Sequence, residues 1–215
     1  MRLLTPVLIA ALMAPLSSAA QDAASDVQGD TGAVAQFLFA QTLLDLGLAR
    51  KDPAAVLSAA RLAAGITATD TDRIPEPAGE AVPPTHPDAG FMFTAARALA
   101  QEDDLLTDLA ARTEAEVPRL PTRAVIRSSR GIAAGAAQVY RLPFFADAVA
   151  EVGLLGDGKG NLDLSVTTAD GTPVCLDSAP GDRALCSFTP AENAGFQITV
   201  TNRSEADASY SLLTN

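Results

Sequence analysis

The sequence predicts an α+β protein, in which a small N-terminal helical region precedes an antiparallel β-sandwich of jelly-roll type. Apolar residues repeat with the period of a helix over residues 32–115 and with the period of a strand over 124–215. Between these two regions, residues 116–123 contain Pro118 and Pro121 and are predicted to be a linker. The change of period across this segment is the main reason for predicting two parts.

Residues 1–20 have the three parts of a secretory signal peptide. Arg2 supplies a positive charge, residues 3–16 are mainly apolar, and the four residues up to Ala20 are small. We expect cleavage after Ala20 and a periplasmic or secreted protein with no stable membrane anchor. The alternative, an uncleaved anchor helix, needs a longer apolar run than this. The small polar residues of 21–31 predict a disordered N-terminus.

The first predicted helix runs to about Arg50, with Asp30 or Thr31 as its N-terminal cap. One apolar stripe contains Val34, Phe37, Leu38, Leu44 and Leu48. A second group, Phe39, Leu43 and Leu46, widens this stripe. An apolar surface of this width predicts that the helix packs against neighbours on more than one side.

Asp52 and Pro53 predict the end of this helix and the start of a second, over residues 54–64. Asp52 is suited to cap the new helix, and proline is tolerated at its first position because that N–H has no intrahelical partner. Gly65 is expected to end it in a left-handed conformation. The two helices would form an αα-hairpin.

Asp88 is expected to cap a third helix, which the acidic residues around Asp103 interrupt. The pattern fits one helix or two, with Asp103 capping the second. The helical segments ARKDPAAVLSAARL and ALAQEDDLLTDLAAR resemble tetratricopeptide-type hairpins, without the 34-residue period of that repeat. Residues 67–87, which are rich in proline, predict an extended exposed loop, and His86 lies in it.

Eight strands are predicted in the second half, because apolar and polar residues alternate in short segments separated by turns. Asp170-Gly171 is typical of a hairpin turn. The predicted strands are Ala124–Ser128, Gln138–Phe144, Val149–Leu155, Leu162–Thr168, Thr172–Leu176, Ala184–Phe188, Phe196–Asn202 and Ala208–Leu212.

Cys175 and Cys186 are the two cysteines of the chain, and they lie eleven positions apart. In an exported protein, this number and spacing favour one disulfide that closes a loop of hairpin size. The alternative, a reactive thiol, would need a nearby base and an electropositive surrounding. No nearby residue in the sequence supplies either.

Several motifs follow one another in the second half of the chain. Gly135 and Tyr140 mark an entry strand, an acidic glycine-rich loop precedes LDL, and the segments PAENAGFQITVTN and ASYSL come last. In this order the motifs resemble those of the bacterial pre-peptidase C-terminal domain. The resemblance covers 124–215 and implies a β-sandwich in an exported bacterial protein. No peptidase domain accompanies it in this chain.

Residues 156–163, GDGKGNLD, lie directly before a predicted strand and predict either a tight turn or a cation site. Asp157, Asn161 and Asp163 carry the oxygen ligands that Ca²⁺ prefers, and the arrangement resembles sites in some members of the family. Counted from Asp157, Lys159 occupies the third position of an EF-hand loop, where a ligand belongs. Leu162 replaces the glycine of the sixth position and Thr168 the bidentate glutamate, so an EF-hand is excluded. Calcium is the candidate ion.

The composition excludes several classes of function. A formal net charge of −11 disfavours nucleic acid as a partner, and the absence of tryptophan leaves few stacking platforms. His86 has no nucleophile motif beside it, and no catalytic set of residues emerges. We therefore predict an exported, non-catalytic binding or accessory module that contacts a protein or an extracellular polymer. The alternatives are an envelope scaffold acting through the helical hairpins and an unrecognised metal-assisted hydrolase.

Overall fold

The computed structural model of the chain describes residues 32–84, 86–101 and 103–215. The predicted signal peptide at 1–20, the N-terminal segment 21–31 and the candidate caps Asp30 and Thr31 lie outside these residues. Residues Gly32–Asn215 form one compact unit. No helix in the described part of the chain is long and apolar enough to span a membrane.

The structure has the predicted α+β class: the described residues form four α-helices and nine strands, and the strands lie in two antiparallel-rich sheets. The helices are α1 Ala33–Arg50, α2 Pro53–Ala64, α3 Ala89–Leu99 and α4 Asp104–Glu116, followed by a 3-10 turn at Val117–Arg119. The strands are β1 Ile66–Asp70, β2 Arg123–Ile132, β3 Ala137–Phe144, β4 Ala150–Gly156, β5 Leu162–Thr168, β6 Pro173–Asp177, β7 Arg183–Phe188, β8 Ala194–Asn202 and β9 Ala208–Thr214.

Three predicted helix caps are confirmed. The carboxylate of Asp52 accepts hydrogen bonds from the N–H groups of Ala54 and Ala55, with Pro53 in the first helical position. Asp88 and Asp103 each accept one bond from the N–H three residues later. The interrupted third helix is therefore two helices, α3 and α4, because Asp103 starts a new one.

The prediction of a left-handed cap at Gly65 is wrong. Gly65 has φ −79° and ψ 2°, which any residue adopts. The chain does not reverse here but enters β1 at once, and the Gly65 carbonyl accepts a bond from the N–H of Arg123 at 2.9 Å. The left-handed residue is Lys51 at the end of α1, with φ 53°.

The strands form two sheets that pack face to face. One has the order β1-β2-β9-β4-β7 and the other β3-β8-β5-β6. All eight predicted strands are present, and their inward residues make one apolar core. Within that core the hydroxyl groups of Tyr140 and Tyr210 are 2.8 Å apart, and Tyr210 donates to the Gln138 side-chain oxygen at 2.6 Å.

The disulfide between Cys175 and Cys186 is confirmed. Cys175 lies on β6 and Cys186 on β7, which are the last strands of the two sheets on the same side of the sandwich. The cross-link therefore joins the sheets to each other along one open side.

The predicted exposed loop at 67–87 is partly wrong, because it contains β1 and then crosses the opposite open side of the sandwich. Strand β1 pairs in parallel with β2. Glu76 then forms a bridge with Val139 on β3, and the Glu80 carbonyl accepts from the N–H of Gly131 on β2. This strap, residues 71–84, satisfies backbone groups at the edges of both sheets.

Helix α1 lies on the outer face of the first sheet. Val34 and Leu38 pack above Gly153 of β4, where a Cβ atom would come within 2.5 Å of the Val34 methyl carbon Cγ1 and 3.0 Å of a Leu38 methyl carbon. On another face, Leu44 packs against α2 and α3. The prediction that α1 is covered on more than one side is confirmed for these two faces, whereas Phe39 remains 58% exposed.

Candidate functional site

The loop that carries the predicted metal ligands connects β4 to β5. Asp157 accepts a hydrogen bond from the backbone N–H of Lys159 at 3.2 Å, and its other oxygen accepts from the N–H and hydroxyl of Ser209 at 3.2 and 3.1 Å. Gly158 permits the tight turn with φ 81°, and its N–H donates to Asp182 at 2.7 Å. These bonds hold the loop against β9 and the β6–β7 connection.

The other two predicted ligands bond to different segments. The Asn161 side-chain oxygen accepts from the N–H of Gly181 at 2.9 Å, whereas Asp163 accepts from Arg203 at 2.6 Å. Within the described ranges, no group of three or more His, Cys, Asp and Glu side chains is placed to hold a metal ion. A calcium site formed with the amide of Asn161 therefore stays a hypothesis.

The hydrogen bonds of Asp157 also affect its ionisation. Burial acts to raise the pKa of this carboxyl, but the bonds from Lys159 and Ser209 outweigh that effect and leave the pKa below its ordinary value. The carboxylate is consequently charged at neutral pH. A structural role in the turn accounts for these bonds without an ion.

His86 does not extend into solvent, as the sequence suggested, but packs against this loop. Its Nε2 lies 2.9 Å from the carbonyl oxygen of Gly156, so Nε2 must carry the proton that is donated. Burial lowers the pKa of the imidazole, because it disfavours the charged form. The sequence placed His86 in a proline-rich segment but could not show which loop it contacts.

A polar cleft of about 580 Å³ surrounds this contact and includes His86, Asp157, Lys159, Asp182 and Arg183. The other described residues of its lining are Gln41, Asp45, Pro87, Gly156 and Gly158. No serine, threonine or cysteine is among these ten residues. Nδ1 of His86 and Nε of Arg183 are buried without a hydrogen-bond partner among the described residues. Among its described residues, the cleft thus contains a base but no hydroxyl or thiol nucleophile for it to activate.

A second cleft, the α1–α2 groove, lies on the opposite surface of α1 and also has a volume of about 580 Å³. Its walls are mainly apolar. The groove residues are Gln36, Phe39, Leu43, Ser58, Arg61, Leu62, Gly65, Leu120, Pro121 and Arg123.

The α1–α2 groove contains residues that the sequence assigned to the packed surface of a helix. Phe39 is 58% exposed and Leu46, one turn beyond Leu43, is 42% exposed. The apolar period along α1 indicated that this stripe needs cover, and no described segment supplies it in full. An exposed phenylalanine among leucines in a concave surface is typical of a docking site.

No family model matches the sequence, and no curated protein matches it either. Among solved structures, the chain is similar to the pre-peptidase C-terminal domain of a Bacillus anthracis collagenase, with 11% identity and a TM-score of 0.34 over 40% of this chain and 86% of that one. It is also similar to PliG, a periplasmic inhibitor of g-type lysozyme from Aeromonas hydrophila, with 12% identity and a TM-score of 0.33 over 42% and 84%.

A third similar structure is the C-terminal CBM6 of LamC from Zobellia galactanivorans, with 14% identity and a TM-score of 0.29 over 41% of this chain and 80% of that one. The family expected from the sequence is thus among the similar structures, over less than half of the chain. The comparisons give no support to the tetratricopeptide resemblance. At these scores, none of the similarities assigns a ligand to this protein.

Proposed function

We propose that this chain is an exported, non-catalytic binding module that holds a partner protein in the α1–α2 groove. The observation that carries the proposal is the exposed apolar stripe of α1, with Phe39 and Leu43 in the wall of the groove. Soluble proteins rarely leave such a concave apolar surface without a ligand or partner.

Two features support export. Disulfides persist in oxidising compartments, and Cys175 and Cys186 are joined. The sequence of residues 1–20 has the charge and apolar pattern of a secretory signal peptide. A periplasmic or secreted location agrees with both.

The non-catalytic part of the proposal rests on how the candidate acid–base residues are used. His86 donates to the Gly156 carbonyl, and none of the described residues that line the polar cleft around it has a hydroxyl or thiol side chain. Asp88 and Asp103 cap helices. Each of these side chains has a structural function that its geometry explains.

A protein suits the α1–α2 groove better than an extracellular polysaccharide does. Phe39 is the one aromatic residue among the described lining residues, and the leucine and proline side chains that form most of its apolar surface offer no hydrogen bonds to sugar hydroxyls. Apolar side chains of a partner would instead bury surface there and gain roughly 25 cal/mol for each Å² removed from water.

Site-specific photo-crosslinking at position 39, in the cell that makes the protein, tests this function. The cross-linked molecule is identified, and its purified form is then titrated against the wild type, Phe39→Ser and Leu105→Ser. Leu105 is 75% exposed on α4 and is not among the groove residues, which makes it a matched control. We expect Phe39→Ser to weaken binding at least about tenfold and Leu105→Ser to have little effect.

Two results would overturn the proposal. One is a cross-linked polysaccharide, or a protein whose affinity is the same for wild type and Phe39→Ser. The other is turnover of peptide or glycan substrates by the purified chain that follows the protein through every column and is lost on His86→Gln. Either would favour a different class of function.

A further inference from the structure

We infer that the segment of the partner that fills the α1–α2 groove is an amphipathic helix with carboxylates beside its apolar stripe. The inference rests on the proposed function and names the chemistry of the occupant. Three properties of the α1–α2 groove lead to this inference. They are the spacing of the lining residues along its two walls, the charge of its lining, and the hydrogen bonding of the backbone at its floor.

Both walls of the α1–α2 groove are helical. On α1 the lining residues Gln36, Phe39 and Leu43 are spaced three and four apart. On α2, Arg61 and Leu62 follow Ser58 by three and four positions. At about 1.5 Å per residue, the lining extends for about 10 Å along α1 and about 6 Å along α2. The seam between two such ridges accepts a third helix, whose side chains at i, i+4 and i+7 would lie between them.

The backbone at the floor of the α1–α2 groove does not favour the binding of an extended peptide. Addition of a strand requires free N–H and C=O groups along an edge. Pro121 has no N–H, and the N–H of Arg123 already donates to the Gly65 carbonyl at 2.9 Å. Side-chain packing is therefore the main interaction that the α1–α2 groove offers.

The charge of the lining is opposite to that of the whole chain. Arg61 and Arg123 line the α1–α2 groove with exposed side chains, and none of the described lining residues is an aspartate or a glutamate. The chain as a whole has a formal net charge of −11. The exposed guanidinium of Arg61 beside this apolar surface complements carboxylates that flank an apolar stripe.

The same charges disfavour a second copy of this chain as the occupant. In a two-fold symmetric dimer built on the α1–α2 groove, equivalent surfaces meet. The surface that carries Arg61 on one copy would then meet the same surface of the other copy. Like charges across an interface oppose association, so a partner of opposite charge fits better.

The test uses two fluorescein-labelled synthetic peptides of about 18 residues, long enough to form helices in part. Both carry leucine at i, i+4, i+7 and i+11. One has glutamate beside this stripe and the other has lysine at the same positions. Anisotropy titrations of the purified chain at low salt and at about 0.5 M salt measure the two dissociation constants. The net charge of the chain favours the basic peptide, which makes the test stringent.

We expect the wild type to bind the acidic peptide about fivefold or more tightly than the basic one at low salt, and added salt to reduce this ratio. Arg61→Glu should abolish or invert the preference. Arg112→Glu is the control: Arg112 is an exposed arginine on α4 that pairs with Asp108 and is not among the groove residues, so the preference should remain.

The possible failures are distinguishable. Equal binding of both peptides, with both weakened by Phe39→Ser, would overturn the acidic helix and leave the α1–α2 groove as a docking surface. If Phe39→Ser changes neither affinity, both the inference and the proposed function fall. A dimer seen by light scattering in the wild type and absent in Phe39→Ser would assign the groove to a second copy and overturn the inference.

Discussion

The carboxylate of Glu151 accepts a hydrogen bond from the backbone N–H of Val34 at 2.9 Å, across 117 positions of sequence. Gly32, at the N-terminal cap of α1, has no side chain to satisfy that group. A Cβ atom at Gly32 would lie only 1.9 to 2.2 Å from the three terminal atoms of the Glu151 side chain. Strand β4 therefore supplies the cap of α1 and, with it, the position of the α1–α2 groove.

Replacement of Glu151 by alanine should lower the free energy of unfolding by about 1–3 kcal/mol, because it leaves a buried N–H at a helix terminus without its acceptor. Glu151→Gln keeps an acceptor oxygen and should cost less. Urea denaturation followed by circular dichroism measures both. Glu192→Ala, at an exposed glutamate, is the control and should have little effect. Equal stability of Glu151→Ala and wild type would contradict this role.

Removal of the disulfide by Cys175→Ala together with Cys186→Ala should lower the free energy of unfolding by roughly 2–3 kcal/mol, as expected for a closed loop of this length. The bond joins the two sheets at one side, so its loss also frees their edges. Denaturation of the double variant measures the effect. Mass spectrometry before and after reduction is the independent check: two free thiols in the purified protein would show that the pairing is wrong.

His86 should make stability depend on pH just below neutrality. Its pKa in the folded chain lies below the ordinary value of 6.5, so the folded state binds the proton less readily than the unfolded state. The stability that the neutral imidazole contributes is fully present above pH 6.5. It is lost as the pH falls from 6.5 through the lower pKa of the folded state. Wild-type stability should therefore decrease more than that of His86→Gln as the pH falls from about 8 to 5.

Glutamine at position 86 retains an N–H donor for the Gly156 carbonyl but does not titrate. Both proteins have the same carboxyl groups, whose contributions cancel in the difference between the two unfolding free energies. That difference therefore reports the ionisation of the imidazole alone. Parallel stability curves over this pH range would show that His86 is not the group responsible.

The calcium hypothesis predicts that millimolar Ca²⁺ raises the melting temperature of the wild type and not that of Asp157→Ala, because a ligand that binds only the folded state stabilises it. Asp157→Ala also removes the hydrogen bonds from Ser209 and so changes the melting temperature without any ion. The quantity to compare is therefore the shift in melting temperature that the ion causes in each protein. Mg²⁺ serves as the control ion. An unchanged melting temperature in both proteins would leave residues 156–163 as a turn.

Local patterns predicted most of the elements. Asp52, Asp88 and Asp103 cap helices where the sequence indicated, because a short acceptor side chain before a helix acts within three residues. The eight strands of the second half appear where polar and apolar residues alternate. Strand β1 was missed, since ITATD lacks strong apolar alternation and owes its conformation to pairing with β2.

The candidate sites were less predictable than the elements. Asp157 and Asn161 were singled out by residue type, but their hydrogen bonds to Ser209 and Gly181 depend on how distant segments meet. The α1–α2 groove was predicted only indirectly. The sequence showed that Phe39 belongs to a broad apolar surface, and it could not show which part of that surface is left uncovered.

By itself, the sequence predicted the α+β class, the first two helices, the eight strands of the second half, and the pairing of Cys175 with Cys186. These features follow from short-range periodicity, from capping and turn residues, and from a cysteine count that allows one disulfide. Only the tertiary structure decided that Glu151 caps α1, that His86 packs on the Gly156 carbonyl, and that Phe39 stays exposed. Such contacts join residues far apart in the chain, so no local pattern specifies them.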